Sequence, residues 1–287
     1  MNILIIGKNS YIGNHIDQWL SKYGHFVCQL DVLVENWRVY DYSLYDVIIH
    51  VAGIVHRPNC KDWNLYKSVN CDMAAEIAQK AKLQGVRQYI YFSTMGVYNA
   101  SKSLNGCVID ENTPTLKDGN SLYGKSKLMA EEALSLLQEY NFTVAFVRPP
   151  SVYGNGCKGG YITSFKWIAC KLPLFPKAYE HCVQSFIYID NLCECIRLIV
   201  DNQLAGIFCP QDDEIPNANR LLETICNSIG KRYHASKVLG LCFRFFSFLP
   251  CVKKAYGGIS YSRKISDIQG YNYVIVPFEE GIKRTVS

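Results

Sequence analysis

The chain has 287 residues, of which 49% are hydrophobic, and a formal net charge of +5. That length holds a large core, either as one domain with a smaller lobe or as two domains. No block of Lys or Arg stands out, which argues against nucleic acid as a partner and leaves anionic small molecules open. The thirteen cysteines are odd in number and include no Cys-x-x-Cys pair. They read as small buried hydrophobes in a reducing compartment, among them Cys193, Cys195, Cys209 and Cys242, rather than as a disulfide framework or a metal site.

Asn2-Ile3-Leu4-Ile5-Ile6 opens the chain with a strand and no basic-then-apolar signal precedes it, so a cytoplasmic protein is expected. Further strands are predicted at residues 26–30, 47–51, 89–93 and 143–147, with helices at 11–23, 73–84 and 122–140 between them. The apolar runs lack a period of two, as strands covered on both faces do, and regular β–α alternation gives a doubly wound parallel α/β sheet. After Arg148-Pro149-Pro150 the pattern loosens, and Gly154, Gly156, Gly159 and Gly160 crowd a loop. A strand at 185–189 and a helix at 190–200 follow. The expected division is a dinucleotide-binding domain of residues 1–155 plus 183–210, and a smaller substrate lobe of 156–182 plus 211–287. The apolar run 239–252 is too short to span a bilayer and Arg244 interrupts it. It reads first as a core helix of the smaller lobe. Its four Phe residues followed by Lys253 and Lys254 also suit a membrane surface or a partner.

Gly7-Lys8-Asn9-Ser10-Tyr11-Ile12-Gly13 lies where a phosphate-binding turn belongs, between a strand and a helix whose free N–H groups face a pyrophosphate. Ser10 stands where a middle glycine is usual; its hydroxyl either donates to the phosphates or pushes them outward. Asp31, 18 residues beyond Gly13, ends the second strand, where a carboxylate accepts from ribose hydroxyls and repels a 2′-phosphate. NAD(H) is therefore expected over NADP(H). Val51, Ala52 and Gly53 end the third strand with residues small enough for the cofactor to approach the backbone; His50 before them reads as an interior histidine.

Tyr-x-x-x-Lys occurs three times, at Tyr98/Lys102, Tyr123/Lys127 and Tyr233/Lys237, in a chain with 20 tyrosines. Only the second follows a strand ending in Ser93-Thr94 and opens a helix. There Tyr123 and Lys127 share a helix face. A phenol with a pKa of about 10 is a poor base at neutral pH, and a neighbouring ammonium favours phenolate. Thr94 would hold a substrate oxygen, Tyr123 would move its proton, and Lys127 would also hydrogen-bond the nicotinamide ribose during hydride transfer.

In order and spacing these segments resemble an extended short-chain dehydrogenase/reductase of the nucleotide-sugar epimerase/dehydratase branch, a Rossmann protein with a C-terminal substrate lobe. With them go Ser68-Val69-Asn70, Phe92 to Tyr98, Leu128-Met129-Ala130-Glu131-Glu132, Arg148 to Gly154, and Ser185 to Asn191, together about the first 200 residues. The resemblance implies Thr94, Tyr123 and Lys127 as the catalytic set and Asn70 as support for the cofactor-side backbone. It places Pro149 by the nicotinamide and Tyr98 and Tyr153 by the sugar, and pairs helices 73–84 and 122–140 in a homodimer. Met95-Gly96 replaces the Asp-Glu of sugar 4,6-dehydratases, which leaves C4 chemistry. The short lobe and the runs at 147–154, 172–176 and 185–192 lean toward reduction of a UDP-4-keto-6-deoxy-N-acetylhexosamine for surface polysaccharide. A UDP-sugar 4-epimerase is the alternative and a non-catalytic cofactor-binding protein the third. Gln184 stands where an Arg usually clamps the diphosphate, with Arg263 or Lys264 as the expected compensation.

Overall fold

The computed structural model describes residues 1–55, 61–116, 121–158 and 160–287, so Gly159 of the glycine-rich loop lies outside the described residues. The strands of three residues or more are β1 (Asn2–Ile6), β2 (Phe26–Leu30), β3 (Val47–His50), β4 (Gln88–Phe92), β5 (Thr143–Val147), β6 (Ser151–Tyr153), β7 (Phe186–Tyr188) and β8 (Gly206–Phe208). Six of them form one parallel sheet in the order β8-β5-β4-β3-β1-β2. Alternate residues of β1 serve opposite layers. Ile3 and Ile5 pack with helices α1 (Tyr11–Lys22) and α6 (Ile189–Asp201), and Leu4 and Ile6 with α3 (Met73–Leu83) and α4 (Leu122–Ser135). Burial on both faces accounts for the unbroken apolar runs, each such side chain contributing roughly 1.5–3 kcal/mol.

Three elements differ from expectation. The helix expected at 73–84 starts earlier, as α2 (Trp63–Lys67) running through a π-helical turn, Ser68–Asp72, into α3. The wide turn breaks the 3.6-residue period that a sequence reading follows. Helix α4 stops at Ser135, after which Gln138 accepts the Val144 amide at 2.7 Å and the chain turns into β5. The strand expected at 185–189 pairs with β6 outside the main sheet, whose sixth strand is the short β8.

Helices α5 (Tyr161–Lys171), α7 (Ala218–Ser228), α8 (Lys237–Phe245), α9 (Pro250–Tyr256) and α10 (Phe278–Val286) build the C-terminal lobe. One apolar cluster runs from Ile3 and Ile16 through Leu192 to Phe165, Leu222 and Phe278, so the lobe shares the core of the sheet. A polar network joins them as well. Asp212 accepts from Tyr153 Oη at 2.7 Å, Tyr188 N at 3.0 Å and Asn191 Nδ2 at 2.8 Å. Asn191 Oδ1 in turn accepts from Ile275 N and Val276 N, both at 2.9 Å. The described cysteines are free thiols; Cys193, Cys195 and Cys209 are buried, but Cys242 is exposed because α8 turns that face outward. The run 239–252 is likewise no core helix: Gly240 and Val252 are its buried residues.

The buried pair Arg148–Glu131 ties the end of β5 to α4. Arg148 Nε donates to Glu131 Oε1 at 3.0 Å and a terminal nitrogen to Oε2, with both side chains about 5% exposed. Replacing Arg148 with Met leaves the carboxylate buried and unpaired. The unfolding free energy from urea titration should then fall by about 3–5 kcal/mol, and adding Glu131→Leu should recover most of it.

Candidate active site

The carboxyl ends of β3, β4 and β5 and the starts of α1 and α4 converge on a cleft of about 200 Å³. Ile12, Val51, Gly53, Ser93, Thr94, Tyr123, Lys127 and Pro149 line it, with Ile54, Val55, Phe92, Pro150 and Val152. Gly7 turns β1 into α1 at φ 118°, its amide donating to Leu30 O at 3.0 Å, and a Cβ there would stand 2.9 Å from Ala52 N. That conformation and that contact both require glycine. Ser10 is the N-cap of α1, and its Oγ accepts the Gly13 amide at 3.0 Å. The serine at the middle-glycine position thus caps its own helix. The amides of Tyr11 and Ile12, in the first turn, have no carbonyl four residues back within the helix and remain a site for an anion. Asp31 follows Leu30 directly and accepts Leu33 N at 3.0 Å. The buried hydroxyl of Tyr11 has no hydrogen-bond partner and packs against Gly154.

Asn70, fully buried in the π-helical turn, braces the end of the third crossover. Its Oδ1 accepts Ile54 N at 2.8 Å, and its Nδ2 donates to Ile54 O and Ser126 Oγ, both at 3.0 Å. Tyr91 Oη donates to Asn70 O at 2.7 Å. His50 is fully buried beside it, with Nδ1 2.6 Å from Tyr89 Oη. Burial and then the Lys127 charge lower its pKa to about 3, so it is a neutral interior residue.

Helix α4 is capped by Ser121, whose Oγ accepts Gly124 N at 3.2 Å. A Cβ on Gly124 would stand 2.3 Å from Gly96 O, so glycine seats the helix against the turn after β4 and brings Tyr123 to Thr94. Burial raises the Tyr123 phenol above its ordinary value, and the hydrogen bond with Thr94 pulls the other way. Lys127 is 3% exposed, donates to Phe92 O at 2.8 Å and lies 4.5 Å from the Tyr91 ring centre. Burial lowers its pKa to about 7, with Glu131 opposing. Lys127 was expected to acidify the phenol; in the structure burial is the larger influence on both groups, opposed at Tyr123 by the Thr94 hydrogen bond and at Lys127 by the Glu131 charge.

Four expected contacts fall elsewhere. Tyr98 is buried in a separate cluster, its Oη 3.5 Å from Cys209 Sγ and its ring under Arg148. Tyr153 is 2% exposed and committed to Asp212. Arg263 donates to the backbone carbonyls of Asp212 and Asp213, and Lys264 pairs with Glu111. Aromatic and charged residues at these positions serve packing and loop anchoring, which motif order alone does not distinguish from ligand contact. Two features escaped the sequence reading. Ser93 Oγ is buried on the cleft wall without a partner, and Glu131 lies one helical turn beyond Lys127, engaged by Arg148. The i, i+4 spacing of Lys127 and Glu131 was the available signal for the second. The glycine crook, the open helix start, Asp31 and the orphan Ser93 hydroxyl together fit a dinucleotide. Among the described residues no group of His, Cys, Asp or Glu is placed to hold a metal.

A family model described as "NAD dependent epimerase/dehydratase family" matches residues 3–207, and the chain belongs to that family. It is 25% identical, over 90% of its length and 83% of the relative's, to an N-acetyl-alpha-D-glucosaminyl-diphospho-ditrans,octacis-undecaprenol 4-epimerase of Escherichia coli O157:H7. Other curated relatives are longer, and the chain spans 49–63% of them. In fold it is similar to the UDP-glucose 4-epimerase of Thermus thermophilus solved with NAD, at TM-score 0.74 and 22% identity, covering 100% of this chain and 98% of that one. It is also similar to human epimerase family protein SDR39U1 solved with NADPH, at TM-score 0.75 and 16% identity, covering 100% and 99%.

A buried lysine whose pKa is lowered by desolvation carries a stability signature. Unfolded, Lys127 titrates near 10.5; folded, near 7. Between these values the unfolded chain binds the extra proton, so the penalty is full below pH 7 and vanishes above 10.5. Lys127→Met should therefore stabilise the protein at pH 6 in chemical denaturation. The advantage should shrink as pH rises toward 10.5, while turnover is lost.

Proposed function

We propose that this enzyme of the NAD dependent epimerase/dehydratase family inverts C4 of a hexose carried on a diphosphate, using NAD(H). The convergence of Thr94, Tyr123 and Lys127 on one small cleft carries this reading. Gly7, Ser10, Tyr11, Ile12 and Gly13 hold the pyrophosphate, Asp31 the adenine ribose, and Val51, Ala52, Gly53 and Pro149 the floor toward the nicotinamide, whose backbone Asn70 fixes. When bound, the nicotinamide accepts and returns hydride. Thr94 positions the C4 oxygen and Tyr123 exchanges its proton. The phenol, held in its donor form by burial, suits protonation of a 4-keto sugar as it is reduced. The oxidative half needs phenolate, and Lys127, which exchanges its proton near pH 7, supplies the adjacent cation when charged. Met95 and Gly96 offer no acid or base for elimination across C5 and C6.

Inversion is favoured over single reduction by a UDP-sugar 4-ketoreductase because the 4-epimerase relative aligns over 90% of the chain, so a short lobe no longer argues for reduction. The carboxylate at Asp31 favours NAD(H) over NADP(H). The first reading of the carrier is uridine nucleotide. A second, a polyprenol diphosphate, is supported by the relative named as a 4-epimerase of a diphospho-undecaprenol sugar. A homodimer through α3 and α4 is supported by their outward groove, where Ala75, Leu83, Ala133 and Leu137 lie beside Glu76, Gln79 and Lys80.

Purified protein with NAD⁺ should interconvert glucose- and galactose-configured N-acetylhexosamine on UDP or on polyprenol diphosphate. Product NMR should show both epimers with no net change at 340 nm, and Tyr123→Phe should lower turnover about 10²–10⁴-fold. Oxidation of NADH by a UDP-4-keto sugar without epimer formation would instead indicate the ketoreductase. Bound cofactor with neither activity would leave a non-catalytic protein. Leu83 is 77% exposed; Leu83→Glu should convert the dimer to monomer by light scattering, and a wild-type monomer at micromolar concentration would refute the interface.

A further inference from the structure

The C-terminal lobe carries an apolar surface that the cleft does not use. In α8, Val238, Leu241 and Phe245 recur at i, i+3 and i+7 and are 73%, 71% and 81% exposed. The stripe therefore faces away from the protein, the reverse of a surface helix serving its own core. In the turn that follows, Phe246, Phe248 and Leu249 are 47%, 72% and 37% exposed. Phe246 lies 5.8 Å from Phe245 and 6.2 Å from Phe248, ring centre to ring centre, so the aromatics form one cluster. Soluble surfaces seldom leave such a patch uncovered without a use for it.

The charge around the patch selects its partner. Lys237, Arg244, Lys253 and Lys254 flank it and are exposed. From residue 224 to 266 the chain has eight Lys or Arg and no Asp or Glu. A second copy docking by the same face would set these cations against each other. An apolar cluster rimmed mainly by long cations, with Glu180 the one carboxylate in the groove beside Leu241 and Arg244, suits a lipid headgroup layer, where rings enter the acyl boundary and ammonium groups stay with phosphates. Among the described residues no helix is long and apolar enough to cross a membrane, so contact would be from one side.

We propose that the α8–α9 segment is a docking site for an anionic bilayer surface, with Phe245, Phe246 and Phe248 entering the interface and Lys237, Arg244, Lys253 and Lys254 contacting acidic headgroups. Helix α9 is tied to the rest of the lobe, since Tyr161 Oη, from the first residue of α5, donates to Ala255 O. Docking there would hold the substrate lobe at the bilayer without a membrane-spanning helix.

The test is flotation of the intact protein with phosphatidylcholine vesicles, with and without 30 mol% phosphatidylglycerol. Binding should require phosphatidylglycerol and weaken in high salt. Lys253→Gln/Lys254→Gln should reduce the partition coefficient roughly fivefold per charge. Phe245→Ser/Phe248→Ser should reduce binding to background with unchanged circular dichroism and melting temperature. Equal binding to both vesicle types, no binding to either, or wild-type binding by the Phe variant would each overturn the proposal. So would a fall in solution mass of the Phe variant by light scattering, which would assign the face to a second copy. No arm measures turnover, so failure here leaves the C4 reading standing, and absence of C4 activity leaves docking intact.

Discussion

An amine enclosed at the carboxyl edge of a parallel sheet sets the terms for everything around it. Lys127 has almost no contact with water, and its polar relief is one carbonyl, Phe92 O, and the face of Tyr91. The nearest carboxylate along its own helix, Glu131, is drawn into a two-point pairing with Arg148. That pairing lets the anion be buried, and it also divides the attention of Glu131, which raises the lysine pKa too little to offset desolvation. The protein thus carries a charge site that folding alone would not select. Buried unstable groups of this kind cluster where chemistry is done.

The same arrangement reverses the simplest picture of the tyrosine. On spacing alone, an ammonium one helical turn away should make the phenol acidic. In the folded chain the burial of Tyr123 is the larger effect, and its counterweight is the Thr94 hydroxyl. A sequence records that two groups share a helix face. It does not record how much water each keeps, and at this site loss of water is the larger influence on both groups. The placement of Tyr123 rests on packing, because Gly124 lets α4 close onto the Gly96 carbonyl.

What was legible before the structure follows from what is local. The strands β1, β2 and β5 and the start of α4 match the reading closely, because a doubly covered strand writes an unbroken apolar run and a capped helix announces its first turn. Val51, Gly53, Ser93, Thr94 and Pro149 of the cleft come from strand ends, so knowing the strands nearly places them, while Ile12, Tyr123 and Lys127 are set by helix starts. The π-helical turn was not legible, since one wide turn shifts the period without changing composition. The roles of Tyr98, Tyr153 and Arg263 were not legible either. Each depends on a partner far along the chain, namely Cys209, Asp212 and the carbonyls of the 212–213 turn.

The apolar run after residue 238 shows why composition misleads in the lobe. Fourteen mostly greasy residues, 239–252, read as core because burial is the usual fate of such a stretch. Helix α8 instead packs through its smallest residue. Gly240 is buried so close to Lys177 that a Cβ would lie 2.0 Å from its carbonyl oxygen. A helix that approaches its neighbour through a glycine must turn the opposite face, here Val238, Leu241 and Phe245, away from it. The glycine that brings the backbones together is therefore the same residue that sends the bulk outward. A single larger side chain at that position would require the helix to rotate or lift. The outward stripe is then a consequence of how α8 is anchored, and the cations that border it are what make that consequence compatible with a charged interface rather than with self-association.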